Sequence, residues 1–175
     1  MTSGSDRSTV PGGLGRLGVG MGVLVLAVGA LLGPGAEAGS GETISLVGGE
    51  PGVRLDVTLT REVDPAGPAT AVPAAFRVDE RLVAVRFRLE NTGSAVHEDS
   101  PAACAHVLDS AGHRFAGTDT PTTAGAAFPT TVTLDPGGTA EGFVTFRVPQ
   151  DAALVAVQYA LDGGLADDVG QWSLA

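Results

Sequence analysis

Apolar and polar side chains alternate strictly from Val53 to Thr60, with Val53, Leu55, Val57 and Leu59 set between Arg54, Asp56, Thr58 and Thr60. Successive side chains of a strand point to opposite faces, so this spacing gives a strand with one apolar face; a helix would scatter the same residues around its axis. The pattern recurs. Val83, Val85, Phe87 and Leu89 oppose Arg86, Arg88 and Glu90, while Gly142, Val144, Phe146 and Val148 form one face of a third stretch and Val155, Val157, Tyr159 and Leu161 one face of a fourth. Shorter strands are expected around Ile44, at Ala102 to Leu108, from His113, at Thr130 to Leu134 and at the C-terminus, where Trp172 and Leu174 share a core-facing side. No segment after Ala38 keeps a 3.6-residue period for three turns. Strands apolar on one face only belong to antiparallel sheets.

The punctuation between these runs is turn chemistry. Glu90 to Gly93 (ENTG), Asp109 to Gly112 (DSAG) and Asp135 to Gly138 (DPGG) combine an Asn or Asp that bonds its own backbone with a Gly free to take positive φ. Short strands joined by such turns predict an all-β fold, an immunoglobulin-like antiparallel β-sandwich. Cys104 is the only cysteine, so the inter-sheet disulfide common in such domains is excluded. Two stretches rich in Pro and small residues, Asp64 to Ala75 and Gly117 to Pro129, are expected to be long loops, and loops of that length are commonly functional.

The N-terminus has the order of a targeting segment. Arg7 and Arg16 lie in a polar head, Leu17 to Leu32 is uncharged and apolar, and Ala36-Glu37-Ala38 places small residues before Gly39. Residues 1–38 are read as a signal peptide cleaved after Ala38, with an uncleaved membrane anchor as the competing reading, because the run extended to Ala36 is about long enough to cross ~30 Å of hydrocarbon. Both readings put the remainder outside the cytoplasm, secreted or held on the outer side of the membrane. Residues 39–52 then form a lead-in with a first strand near Ile44, and residues 53–175 the sandwich. No cysteine follows the apolar run to carry a lipid, and no arginine pair suggests twin-arginine export. The chain has 20 acidic residues against 10 arginines, a formal net charge of -10, which repels nucleic acid.

The residues with chemical potential crowd between His97 and His113, a stretch that holds all three histidines and the cysteine. On a strand through Ala102 to Leu108, Cys104 and His106 share the outer face while Ala103, Ala105 and Val107 turn inward. A thiolate and an imidazole at that spacing could bind zinc or copper if His97 or His113 supplied further ligands. A methionine-assisted copper site is excluded, since Met1 and Met21 both precede the domain. A Cys-His catalytic pair would need an oxyanion hole, and no motif supplies one. The acidic groups at His97 to Asp99, Val78 to Glu80 and Ala166 to Gly170 lack the ordered ladder of a calcium loop and read as solvated turns.

Val57 to Ala69 (VTLTREVDPAGPA), Arg81 to Gly93 (RLVAVRFRLENTG), Val107 to Phe115 (VLDSAGHRF) and Thr133 to Ala152 (TLDPGGTAEGFVTFRVPQDA) resemble, in order, the blocks of an uncharacterised bacterial extracellular immunoglobulin-like domain family, similar in fold to small secreted immunogenic antigens. Asp79 and Glu80 stand where that pattern usually has a Gly. The resemblance implies a sandwich, export and no catalytic residues to carry over. The expectation is therefore a non-enzymatic exported domain without a cofactor that binds a protein or an envelope component, the alternative being a metal-binding protein using Cys104 and His106.

Overall fold

The structure, a computed structural model, describes residues 36–69 and 77–174; of the expected signal or anchor, residues 1–38, all but the last three lie outside them. Eleven strands are present among the described residues: β1 (Ala36–Ala38), β2 (Thr43–Val47), β3 (Arg54–Ala66), β4 (Glu80–Asn91), β5 (His97–Asp99), β6 (Ala105–Asp109), β7 (Arg114–Thr118), β8 (Val132–Leu134), β9 (Thr139–Pro149), β10 (Leu154–Ala160) and β11 (Val169–Ser173). Two short turns of helix, α1 (Pro101–Cys104) and α2 (Leu161–Gly164), sit between strands. Nine strands form one continuous sheet in the order β1-β11-β10-β6-β7-β9-β4-β3-β2, and β5 pairs with β8 separately. All pairings are antiparallel except β1 with β11.

The nine strands fold over on themselves at β7. Its first part, Arg114 to Ala116, pairs with β6, and its last two residues, Gly117 and Thr118, pair with β9. The two layers enclose the alternating residues: Leu55, Val57, Val83, Val85, Phe87, Val144 and Phe146 from one meet Val107, Val157, Tyr159 and Trp172 from the other. Phe87 is the hinge of this packing, edge-on to Tyr159 with ring centroids 5.3 Å apart and to Trp172 at 6.0 Å. Each such pair adds about 0.5–1.5 kcal/mol beyond the apolar area it buries.

β2, at one end of the sheet, meets β11, the neighbour of β1 at the other end, without a ladder. Side chains close the seam instead: the Asp168 carboxylate accepts the Val47 N–H at 2.8 Å, Asp162 accepts the Gly49 N–H at 2.7 Å, and the Trp172 indole N–H donates to the Glu42 carbonyl at 2.9 Å. Edge groups that would otherwise invite another chain are thereby occupied.

Two elements differ from the sequence expectation. β3 runs on to Ala66, so the first long loop begins later than Asp64. The expected strand Ala102 to Leu108 starts only at Ala105, because Pro101 occupies the first position of a helical turn, where its fixed φ fits and its missing N–H costs no bond. The N–H groups of Ala103 and Cys104 both reach the Ser100 carbonyl, at 3.0 Å.

Candidate functional site

That single turn undoes the shared outer face of Cys104 and His106. A helical turn advances side chains by about 100° per residue rather than 180°, so Ala103 is exposed and Cys104 swings into the core at 1% exposure. His106, already on β6, is half-buried on the other side of that strand. His97 is buried in β5 opposite Leu134. His113 is exposed beyond the Asp109 turn, where its Nδ1 lies 2.9 Å from the Asp109 carboxylate. Asp109 also accepts the N–H groups of Ala111 and His113, as the turn signal predicts, and the hydrogen bond from His113 holds its carboxyl below the usual range. The four residues therefore do not converge. Among the described residues no three His, Cys, Asp or Glu side chains are grouped to hold a metal ion.

A different cluster forms around Cys104. The Asp99 carboxylate accepts the N–H of Gly163 at 3.0 Å and of Ser100 at 2.8 Å, tying α1 to α2, and the Cys104 thiol lies against Asp99 and Tyr159. The Tyr159 hydroxyl is fully buried and completes no hydrogen bond. Burial, first, and then Asp99 push the Cys104 thiol up, and burial beside Cys104 and Asp99 does the same to Tyr159. A thiol kept protonated is a poor nucleophile and a poor metal ligand. The cluster holds two turns together.

The described start of the first long loop, in contrast, is brought against the second. Gly67 and Thr123 bond through the Thr123 N–H at 2.7 Å and its hydroxyl at 3.2 Å, and Ala69 donates to the Pro121 carbonyl at 3.2 Å. Beneath them lies a second, outward apolar cluster of Ala66, Leu82, Ala84 and Phe143, covered by Ala124 and Val63. The far end of the second loop is seated by Phe128, whose ring lies on Gly142; a Cβ there would come within 2.9 Å of it. Between this loop end, α1 and the end of β7 opens a groove of about 400 Å³.

A second groove, about 470 Å³, opens beside Arg81, Glu62 and Asp64. Arg81 is fully engaged: it grips Asp64 with two donors at 2.7 and 2.9 Å and gives the rest to the carbonyls of Pro149, Gln150 and Ala152 at 2.7–2.8 Å. Burial and the neighbouring Asp64 raise the Glu62 carboxyl. The sequence did carry a signal for Arg81, which shares the inward parity of Val83, Val85 and Phe87. Asn91 is a comparable buried hub within the ENTG turn, donating to the carbonyls of Ala95 and Leu134 at 2.9 and 2.8 Å and accepting from Gly93 at 3.0 Å.

No family model matches the sequence, and no curated protein is detectably similar to it. Solved structures share its fold. The secreted protein MPT63 of Mycobacterium tuberculosis is 15% identical over 81% of this chain and 99% of its own, with a TM-score of 0.55. The yjhA protein of Bacillus subtilis is 16% identical over 78% of this chain and 99% of its own, with a TM-score of 0.54. At these identities the likeness is one of fold: the chain is a β-sandwich of the kind found in secreted and uncharacterised bacterial proteins, as its resemblance to an extracellular immunoglobulin-like family implies.

Proposed function

We propose that the chain is an exported, non-enzymatic immunoglobulin-like domain that binds another protein or a component of the cell envelope. The observation that carries this reading is the pairing of its two long loops. Gly67 and Ala69, at the start of the first loop, bond Thr123 and Pro121 of the second, and an apolar cluster lies beneath this contact on the two-layer scaffold, as loops that carry binding residues are seated. The secreted fold neighbour supports an extracellular setting. Burial of Cys104 and the separation of the histidines support the binding reading over the catalytic and metal-binding alternatives.

The test uses the protein recovered from the exported fraction. Saturable binding to isolated envelopes or to a secreted protein is expected, and Ala126→Arg on the exposed second loop should weaken it about tenfold without lowering the melting temperature. Turnover of a substrate from a broad hydrolase panel, lost on replacing Cys104 or His106, would overturn the reading. So would the lack of any saturable binding.

A further inference from the structure

β7 is only half-paired at one end. Its ladder with β6 stops at Ala116, opposite His106, while Gly117 and Thr118 are laddered with β9. The cause is α1, which coils the chain where β6 would otherwise continue past Ala105. Gly117 is what lets α1 come so close, since a Cβ there would lie 2.5 Å from the Ala102 carbonyl oxygen and 2.6 Å from Val144. The register leaves the Gly117 N–H on the Ala105 carbonyl, but the Ala105 N–H turns to the Pro101 carbonyl, so that on the α1 side the Gly117 carbonyl and the Asp119 N–H have no backbone partner among the described residues.

The groove of about 400 Å³ opens at this place. Ala102, Ala103, Phe128 and Val144 give it small and apolar walls, and Asp119 is the one charged residue lining it. Asp119 is exposed and forms no ion pair among the described residues. An unpaired strand end calls for extended backbone, apolar walls for an aliphatic side chain, and a lone carboxylate for a cation. In an extended peptide, residues two apart share a face, so one segment can meet all three demands.

We propose that this groove accepts an extended segment of a partner protein, which adds backbone hydrogen bonds to the end of β7 and sets an arginine or lysine against Asp119 with an aliphatic residue two positions away. The proposal rests on the reading of the chain as a binding domain and gives that domain a second surface, apart from the exposed outer side of the loop pair. The acidic net charge of the chain favours the same basic partner.

The experiment titrates the exported protein with an acetylated and amidated Thr-Thr-Val-Thr-Arg-Thr peptide and with its counterpart carrying Glu for Arg, followed by amide chemical shifts and hydrogen exchange. The Arg peptide should shift Ala103, Thr118 and Asp119, slow exchange at Asp119, and bind at least about tenfold more tightly than the Glu peptide. Asp119→Arg should reverse that preference, and Ala103→Trp should block both peptides; each variant must melt with the parent protein, and Asp119→Asn, which keeps the side-chain size, should lose the preference without reversing it. Equal affinity for both peptides, shifts confined to other surfaces, or no shift at millimolar peptide overturns the proposal. Binding to envelope or secreted protein that survives Asp119→Arg and Ala103→Trp but not Ala126→Arg removes the groove and leaves the proposed function standing.

Discussion

His97 is buried between β5 and β8 with the carboxylates of Asp99 and Asp162 as charged neighbours. Burial lowers its pKa below the ordinary 6.5, and the two carboxylates pull upward more weakly. His106 is lowered as well, by burial and by the charge of Arg114. Folding thus prefers the neutral imidazoles. Their contribution is intact above pH ~6.5 and is lost as the pH falls through the lower folded-state values, by at most about 1.4 kcal/mol per pH unit for each group. Urea midpoints between pH 7.5 and 5 should therefore decline, and the His97→Asn and His106→Asn variants should each show a shallower decline; an unchanged slope in the double variant would exclude this origin. At this scale the sequence is partly legible. Cys104 was misplaced because its orientation depends on one proline three residues earlier, and Arg81 went unread although its parity already pointed inward.

The short elements at the sandwich end act together. Asp99 joins α1 to α2 and covers Cys104, so Asp99→Ala should open a local route to the thiol. Labelling of Cys104 by a disulfide reagent should be slow in the native protein and at least about tenfold faster in the variant, while global stability falls by only about 1–2 kcal/mol. Labelling that stays tied to global unfolding would show that the two turns do not open separately. At the opposite corner Arg81 joins β3, β4 and the β9–β10 turn. Its side chain is 13% exposed, and Arg81→Ala strands a carboxylate and three carbonyls, so a loss of about 2–4 kcal/mol in urea unfolding is expected. The strands were legible because one buried face writes itself into a period of two. A four-residue turn such as α1 is too short to have a period, and the loop pairing joins Gly67 to Thr123 through backbone groups that side-chain identity does not specify.

For the whole molecule, the expected all-β sandwich is what forms, but the pattern gave no hint of how its open edges are closed. Asp162 and Asp168 occupy N–H groups of Gly49 and Val47 across the seam. Replacing both with Ala should cost about 1–2 kcal/mol and free an edge for pairing between copies. Light scattering of the double variant should report growing assemblies, and a monomer as stable as the parent would show that the seam has no such duty. β1 lies parallel to β11, with Ala36 beside Gly170 and Ala38 beside Trp172, so in a chain not cleaved after Ala38 the entering and leaving ends of the described fold share one sheet edge. In a parallel pair the incoming end of one strand and the outgoing end of the other lie at opposite extremes. Tension applied through the two ends therefore runs along the strands and loads their hydrogen bonds together in shear, which makes this edge the place where the domain would resist being pulled.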